Sequence, residues 1–463
     1  MKIEQIVNDN MLSYSSYVLT NRCLPDVRDG LKPIHRKILY AMDQSKNKGR
    51  ILTKSANVTG EVMKYSAHGD CYDTVVNMVQ TDKQLHPLII GKGNFSQHTS
   101  RELQAGASRY TEIHLSDVAI EMLNTLDKNM VDFIDNYDGT LKMPEVLPTK
   151  YPAILTYANS GIGVGMSSNI PSFNLKEINE AVINFLKTGK HTTLYPDFAT
   201  GGYLVNDEQQ ISLINTTGKG SLSLKAKMEV NKNTITIHEI PYTTTREAII
   251  DKIIALVKDK KLDRVTAVKD LTDITGMKVE ITCKKNTDMD KIIQELYSKT
   301  PLQSSFSCEM RMLVDGLPKV MSVEQVIEKW VDFRRQCVVR GLKYEEAKLK
   351  KNRHIQEGII KVIDVIDGVI NVIRTSEDDV VISNLMTTYG LTEPQADYLA
   401  DLKLRYLNKT YLDKQVKDFE QLNKQIDTYE KTLASPKAID NCIINALNQI
   451  NKKYAKERKT IIQ

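Results

Sequence analysis

The chain has 463 residues, of which 41% are hydrophobic and 26% are charged, and this balance is typical of a soluble protein with roughly two to four domains. No apolar run reaches the ~18 residues of a membrane helix, and the N-terminus has no apolar signal core, so we expect neither membrane insertion nor export. The six cysteines are scattered without a C-x-x-C spacing, which supports no zinc site and no disulfide framework and fits a reducing cytosol.

The positive charge is concentrated near the N-terminus. Residues 22–54 hold nine Lys or Arg against three Asp, a net +6, whereas the whole chain carries +5. A local basic surface is typical of proteins that bind polyanions. Charge alone equally allows a solvated helix face.

The first predicted elements are short helices. Pro33 stands where a first-turn proline is tolerated, and apolar residues then recur at helical spacing. Two further short helices are predicted near 56–65 and 72–80, and "LIIGKGNF" follows them. This order is compatible with a helix-turn-helix and a wing.

Over residues 151–320 the periodicity of apolar residues predicts a mixture of helices and strands. "SLSLKAKMEV" and "ITIHEI" alternate strictly on either side of "NKNT", which predicts a hairpin. "REAIIDKIIALVKDK" predicts an amphipathic helix and "MKVEITCKK" another strand. "DMD", at 288–290, is best interpreted as a helix N-cap.

From Val323 the pattern is helical. A proline-free stretch with apolar residues three and four positions apart predicts one very long helix, and residues 410–431 predict a second. Two long helices around a compact segment at 380–408 indicate an antiparallel coiled-coil arm with a globular tip. A plain helical bundle is the alternative.

Sequence blocks in a fixed order carry a family resemblance. The chain resembles the breakage-reunion core of type IIA topoisomerases, and specifically the A subunit of bacterial DNA gyrase and topoisomerase IV. The blocks are "LPDVRDGLKPIHRKILYAM", "HGDCYDTVVNMVQ", "GASRYTEIHLS", "VDFIDNYDGT", "NSGIGVGMSSNIPSFNL", "PDFATGG", "EIPY", "TPLQSSFS", "LVDGLPK", "LTEPQADYLADLKLRYL" and "KYAKERKTII".

The resemblance implies an α+β multidomain fold that forms a dimeric gate for DNA. An N-terminal arm helix would occupy 1–20 and a winged-helix cleavage domain 21–150. An α/β tower would occupy 151–325, and 326–463 would form the coiled-coil arm with a small helical exit gate at about 380–410.

The same resemblance implies the cleavage chemistry. Tyr110, in "GASRYTE", is the implied nucleophile, which would attack a backbone phosphorus and form a 5′-phosphotyrosyl link. The adjacent Arg109 would stabilise charge on the phosphoryl oxygens, because its planar guanidinium suits phosphate. His68, in "HGD", matches a family histidine near the cleaved strand.

The implied DNA contacts lie mainly in the basic segment. The cationic side chains expected to bind phosphates are Arg22, Arg28, Lys32, His35, Arg36 and Lys37. Asp26 and Asp29 would either hold these cations or cap the turn. Ile162, in "SGIGVGM", matches a residue that wedges between base steps, and the alternative is a buried Ile beside close-packed glycines.

Partners and cofactors follow from what the sequence lacks. It contains no G-x-x-x-x-G-K-[ST] and no convincing carboxylate cluster for Mg²⁺. We therefore expect Mg²⁺ and ATP to be bound mainly by a gyrase B-like subunit in an A2B2-type complex with double-stranded DNA. The expected location is the cytoplasm of a bacterial cell or of a phage-infected host.

The chain also departs from the family pattern. The turn after "HGD" is two residues shorter than usual, and Asn77 stands where an arginine is frequent, so we expect reduced quinolone sensitivity. The chain ends where a C-terminal DNA-wrapping domain would begin. This predicts either a compact bacteriophage form or a protein cut at the boundary of its core. In both cases we expect relaxation or decatenation of DNA and no negative supercoiling.

Two other functions compete with this hypothesis. The chain could be a catalytically inactive DNA-binding clamp with the same fold, although the intact Arg109–Tyr110 pair disfavours it. A tyrosine recombinase would need several dispersed Arg and His catalytic residues and would leave a 3′ linkage. The order of the sequence blocks disfavours that second alternative.

Overall fold

The computed structural model describes residues 3–67, 69–273, 276–403, 406 and 409–463. Within 3–9 and 409–413 only the backbone is described. Contacts divide the chain into two units. The larger comprises Met1–Asp127, Val131–Arg334 and Ile443–Gln463, and the smaller comprises Lys128–Met130 and Arg335–Cys442.

The helices of the larger unit follow the apolar periodicity of the sequence. They are α1 (Ile3–Val18), α2 (Pro33–Gln44), α3 (Ser55–Val62), α4 (Tyr72–Val79), α5 (Asp117–Leu123), α6 (Leu175–Thr188), α7 (Glu208–Thr217), α8 (Arg246–Lys258) and α9 (Met289–Lys299), with a π-helical turn at Leu19–Cys23. Pro33 occupies the first turn of α2, and the helix buries Ile38, Leu39 and Met42. The predicted start and apolar face of this helix are therefore confirmed.

The strands of the larger unit are short. They are β1 (Thr53–Lys54), β2 (Ile89–Lys92), β3 (Glu112–Leu115), β4 (Phe133–Asp135), β5 (Lys142–Pro144), β6 (Asn159–Ile162), β7 (Ser167–Ile170), β8 (Tyr203–Leu204), β9 (Lys219–Lys225), β10 (Lys227–Asn231), β11 (Thr234–Glu239), β12 (Val265–Asp270), β13 (Val279–Cys283), β14 (Gln303–Glu309), β15 (Arg311–Val314), β16 (Leu317–Val320) and β17 (Ile461–Ile462).

These strands form sheets of different size. β1, β3 and β2 make an antiparallel sheet of three strands with β3 in the centre. A sheet of four strands has the order β10-β11-β13-β12, and one of six has the order β17-β8-β9-β14-β7-β6. β4 with β5 and β15 with β16 pair as separate hairpins.

The hairpin predicted from residues 221–240 is correct from residue 227 onwards and wrong before residue 226. β10 and β11 pair around the predicted turn, with Asn231 opposite Thr234. The preceding β9 instead pairs with β14 in the other sheet. The break falls at the fully buried Ala226, whose N–H donates to Leu302 O at 2.8 Å and whose carbonyl accepts from Tyr297 Oη at 2.8 Å. Because these contacts satisfy the backbone at Ala226, one alternating run can serve two sheets.

Helix α9 begins as its sequence predicts. The Asp288 side chain accepts a hydrogen bond from the Lys291 amide at 3.2 Å and so caps the helix. This bond satisfies one of the free N–H groups of the first turn. The N-cap interpretation of "DMD" is confirmed.

The smaller unit is helical. It contains most of α10 (Val323–Val362), together with α11 (Ile366–Thr375), α12 (Val381–Tyr389), α13 (Glu393–Ala400), α14 (Lys409–Leu433) and the start of α15 (Pro436–Tyr454); a single 3-10 turn, Ile363–Val365, separates α10 from α11. α10 has 40 residues, so the very long predicted helix is confirmed. An ion pair of 2.7 Å between Lys350 and Glu430 joins α10 to α14.

The segment between the long helices packs with the end of α10 around one apolar core, which is made by Ile359, Val362, Val369, Leu385, Leu391, Ala396 and Leu399. α12 and α13 lie inside the predicted tip at 380–408, of which residues 404, 405, 407 and 408 fall outside the described residues. The structure thus confirms a mixed helix and sheet fold with a long helix. The bounds of the four predicted domains stay a prediction. Among the described helices, none is long and apolar enough to cross a membrane.

Candidate active site and nucleic-acid interface

Tyr110 lies at the end of the loop that joins β2 to β3. Its side chain is 68% exposed, and its N–H donates to Ala107 O at 2.9 Å. The guanidinium carbon of Arg109 lies 4.6 Å from the centroid of the Tyr110 ring. A phenol in water beside a permanent cation is accessible to a large phosphodiester substrate, as a tyrosine nucleophile must be.

The end of this loop is fixed by hydrogen bonds to α3 and α4. Tyr72 Oη donates to Gly106 O at 2.6 Å and lies 2.8 Å from Thr111 Oγ1. The buried Thr111 hydroxyl donates to Ser55 Oγ at 2.8 Å, and the Ser55 N–H donates to Thr111 O at 3.0 Å. The residues on both sides of Arg109 and Tyr110 are therefore held, while these two side chains stay free to meet a ligand.

The buried carboxylate of Asp29 organises the loop before α2. It accepts two hydrogen bonds from Arg36, Nε to Oδ2 at 2.7 Å and Nη2 to Oδ1 at 3.0 Å. It also accepts from the Leu31 N–H at 3.0 Å and the Leu147 N–H at 2.9 Å. Asp29 therefore both holds a cation and fixes the turn, so both interpretations of its role are correct.

Asp26 has a similar role for Arg28. Its Oδ1 accepts from Arg28 Nε at 2.9 Å, and its Oδ2 accepts from Arg28 Nη2 at 2.9 Å. Arg28 Nη2 also donates to Glu145 Oε1 at 2.8 Å. Two of the predicted phosphate-binding arginines, Arg28 and Arg36, are thus already paired with carboxylates of the same chain.

A cavity of about 280 Å³ brings together Arg22, Lys32 and His35 with Lys83, Asn77 and Ser160. We call this group the cationic cavity. Lys32 Nζ donates to Ser160 O at 2.8 Å, and Lys83 Nζ donates to Asn77 Oδ1 at 2.5 Å. Lys83 was not predicted from the sequence, because a lone lysine after a short helix gives no pattern that marks a site.

Burial shifts the pKa values of the titratable side chains that line this cavity. It lowers the pKa of His35 to about 3, and the charges of Lys32 and Lys83 act in the same direction. It also lowers the pKa of Lys32 and of Lys83. His35 is therefore neutral at neutral pH and can bind a phosphate as a hydrogen-bond donor, not as a cation.

Lys37 lies on the other side of α2. It lines a second cavity, of about 270 Å³, together with Arg28, Arg36 and Glu145. Burial, followed by the charge of Arg36, lowers the pKa of Lys37. The structure therefore divides the predicted phosphate-binding residues between two faces of the loop and α2.

Ile162 is at the tip of the β6–β7 hairpin and is 88% exposed. The alternative of a buried Ile is therefore wrong. The hairpin packs closely on the π-helical turn, since a Cβ at Gly161 would lie 2.3 Å from Cys23 O. Cys23 Sγ also donates to Ile162 O at 3.0 Å. An apolar side chain on such a fixed tip is well placed to enter a base stack.

The remaining predicted site residues do not gather at one point among the described residues. Arg22 is exposed and lies within the π-helical turn. His68 lies outside the described residues. The described interactions of Arg109 and Tyr110 stay within their own loop and do not reach the cationic cavity. Among the described residues, no group of three or more His, Cys, Asp or Glu could hold a metal ion.

Comparison with known proteins gives one consistent family. The family model for the A subunit of DNA gyrase and topoisomerase IV matches residues 22–448. The chain is 36% identical to the DNA gyrase A protein of Leptospira biflexa, covering 100% of this chain and 56% of that protein. It is 35% identical to the Staphylococcus epidermidis protein of that name, covering 99% and 53%, and 38% identical to that of Buchnera aphidicola, covering 100% and 56%. The chain thus spans about half the length of the curated relatives it matches.

Proposed function

Because the chain belongs to the family of DNA gyrase and topoisomerase IV A subunits, we propose that it is the DNA-cleaving and religating component of a type IIA topoisomerase. In this role it makes a transient double-strand break and passes another duplex through it, which relaxes or decatenates DNA. The observation that carries the proposal is the exposed Arg109–Tyr110 pair on a loop whose flanks are fixed.

The chemistry is a phosphoryl transfer to Tyr110. The phenolic oxygen bonds to a backbone phosphorus and gives its proton to water, the bond between that phosphorus and the 3′-oxygen breaks, and the 3′-oxygen takes a proton from water and leaves as a hydroxyl. The ester formed is close in energy to the bond broken, so religation needs no nucleotide. Arg109 stabilises the charge on the phosphoryl oxygens, and removing such a donor typically lowers the rate about 10²–10³-fold. His68, by its position in "HGD", is proposed to lie near the cleaved strand.

The duplex is bound mainly through its phosphates. Lys32 and Lys83 supply charge in the cationic cavity, and the neutral His35 supplies a hydrogen-bond donor. Arg22 and Lys37 extend the positive surface, while Arg28 and Arg36 contribute their remaining N–H groups and hold the loop. These contacts are independent of base sequence and sensitive to salt.

Ile162 is proposed to wedge between base steps and bend the bound duplex. Unstacking a step costs a few kcal/mol, which a longer contact with the protein offsets. The fixed hairpin tip supports this role, since a mobile side chain would fold away from the stack. No base-specific contact is required.

The metal and the nucleotide are assigned to a partner. Mg²⁺ would supply Lewis-acid stabilisation of the scissile phosphate. The described residues near Tyr110 do not fit it, because they offer no group of three metal-ligating side chains. We therefore propose that a gyrase B-like subunit binds both Mg²⁺ and ATP in an A2B2-type complex, in the cytoplasm of a bacterium or of a phage-infected cell.

The alternative of a catalytically inactive clamp is not supported. The relatives are named as A subunits of DNA gyrase, and the Arg109–Tyr110 pair is intact and exposed. Covalent attachment to DNA separates the two functions directly, because a clamp would bind the duplex without forming an ester.

The test is to trap the covalent complex. The chain is mixed with a gyrase B-type subunit, Mg²⁺ and supercoiled plasmid, and the reaction is stopped with denaturant. We expect wild-type protein to stay attached to linear plasmid, and Tyr110→Phe to bind DNA without attachment. Tyr137→Phe is the matched control, because Tyr137 is also exposed, at 58%, but lies on the β4–β5 turn. Adducts that persist in Tyr110→Phe would show that another residue is the nucleophile.

A further inference from the structure

The loop that leads to Tyr110 is attached to helix α8 through one buried carboxylate. Ser100 Oγ donates to Glu247 Oε1, and the Arg101 N–H donates to Glu247 Oε2 at 3.1 Å. Glu247 and Ser100 are 8% and 7% exposed. Both carboxylate oxygens are therefore used by the loop, in a place that water scarcely reaches.

Neighbouring contacts strengthen this attachment. The Arg246 N–H donates to Thr99 O at 2.9 Å, and Arg246 Nη1 donates to Gln97 Oε1 at 2.8 Å. From the opposite side, Asp82 Oδ2 accepts from the N–H and the hydroxyl of Thr99, each at 2.9 Å. Residues 97–101 are thus held on two sides.

Glu247 is not needed to cap its own helix. Thr245 is the N-cap of α8, and its hydroxyl accepts from the Ala248 N–H at 3.4 Å. A carboxylate in the first turn is favoured by the helix dipole whether or not it has a partner. Thr245 supplies the side-chain cap of α8, and the carboxylate of Glu247 accepts from Ser100 and Arg101 of the loop.

Hydrogen bonds continue from this anchor towards Tyr110. The Leu103 N–H donates to Ser100 Oγ at 3.2 Å, and Ser96 Oγ donates to Leu103 O. Asn94 Nδ2 donates to Gln104 O at 3.0 Å. The Gly106 N–H then donates to Asn94 O at 2.9 Å, which is where the contact with Tyr72 begins. The loop is therefore one bonded path from Glu247 to the fixed end beside Arg109 and Tyr110.

From this geometry we propose that Glu247 is a positioning residue for DNA cleavage, which sets the placement of Arg109 and Tyr110 by holding Ser100 and Arg101. The inference rests on the proposed function. Its energetic basis is that a nucleophile must stand in line with phosphorus, and a misplacement of 1 Å can cost up to 10²-fold in rate. The sequence "SQHTSREL" and the "TREA" that opens α8 are brought together only in the folded chain.

The experiment separates binding from cleavage. With gyrase B-type subunit, Mg²⁺ and plasmid, Glu247→Ala is expected to slow covalent-complex formation about tenfold and to leave the DNA dissociation constant within about twofold. Glu247→Gln keeps one acceptor and should restore part of the rate. Lys252→Ala, on the exposed face of α8, is the control that should behave like wild type.

A second variant tests the same contact from the side of the loop, in case Glu247→Ala does not fold. Ser100→Ala removes the same hydrogen bond from the loop side, together with the bond that Ser100 Oγ accepts from the Leu103 N–H, without touching α8. If the two side chains act through their shared contact, the double variant will lose clearly less than the two single losses combined. Independent, additive losses would overturn the proposal.

Amide hydrogen exchange gives a readout that does not need cleavage. Glu247→Ala should speed exchange at residues 100–106 about tenfold or more, while α8 keeps its protection. Unchanged exchange there, or an unchanged cleavage rate in Glu247→Ala, would overturn the positioning role. If wild-type protein forms no adduct at all, the proposed function fails instead, and the exchange result alone decides whether Glu247 orders the loop.

Discussion

Replacing Asp29 with Ala should destabilise the larger unit severely. The carboxylate is fully buried and accepts from Arg36 and from the N–H groups of Leu31 and Leu147. The Arg36 side chain is only 11% exposed, so the variant leaves a buried guanidinium without its partner. Breaking a buried ion pair in this way costs ~3–5 kcal/mol, and each unpaired buried amide adds about 1 kcal/mol or more. We expect a loss of about 4 kcal/mol or more, since the chain can relax only in part.

Trp330 is a suitable reporter for this measurement. It is the single tryptophan of the chain, it is fully buried, and its indole N–H donates to Thr149 Oγ1 at 3.1 Å. Thr149 in turn donates to Arg28 O at 3.2 Å, so the reporter is bonded to the loop that Asp29 organises. Fluorescence-monitored urea unfolding should show the midpoint shifted strongly to lower urea in Asp29→Ala.

The control is Glu61→Ala, which removes an exposed ion pair with Lys64 and should leave the midpoint unchanged. A second comparison replaces both partners, Asp29→Leu with Arg36→Met, and should lose less stability than Asp29→Ala because no charge stays buried. A loss below about 1 kcal/mol in Asp29→Ala would refute the reasoning, since the carboxylate would then not hold Arg36 in solution.

Three further predictions concern DNA and pH. Ile162→Ala should abolish bending of a fluorescently end-labelled duplex without changing protein stability, because the side chain is 88% exposed; an unchanged bend would exclude the wedge. Lys83→Ala should make the salt dependence of DNA binding shallower by about one phosphate contact, whereas the exposed Lys261→Ala should not. The pKa of His35 falls from 6.5 to about 3 on folding, so the unfolded chain binds the extra proton and stability falls as the pH drops below ~6.5. At pH 5.5 the free energy of unfolding is therefore lower by about 1 kcal/mol. His35→Gln should make the urea midpoint depend less on pH between 6.5 and 5.5, and an unaltered pH profile would contradict this.

Features with a local cause could be predicted from the sequence. Pro33 and the apolar spacing after it define α2, and Asp288 caps α9 as its position suggests. The long α10 follows from an uninterrupted helical pattern. Each of these depends on residues within a few turns of one another, so no knowledge of the tertiary structure is needed.

Features with a distant cause could not be predicted. The strand break at Ala226 depends on Leu302 and Tyr297, which lie more than seventy positions away along the chain. Lys83 meets Lys32 only because α4 and the loop before α2 converge on one cavity. Nothing in the spacing of these residues marks the contact, because periodicity reports which face of an element is buried and not what that face meets.

The sequence and the structure lead to different conclusions about the positive charge of residues 22–54. A net +6 over residues 22–54 is typical of a surface that binds polyanions, and by itself it equally allows a solvated helix face. Yet Arg28 and Arg36 are held by Asp26 and Asp29, with geometry that suits the planar guanidinium and would not suit lysine.

These two arginines therefore act first as structural cross-links. They fix the loop from which Lys32 projects into the cationic cavity. Under the proposed function this site holds a duplex while its strands are cut, and it benefits from cations whose positions are set before DNA arrives, because no binding energy is then lost in ordering them. On this reasoning the acidic residues of the segment, although they reduce its charge, are part of what makes the remaining charge effective.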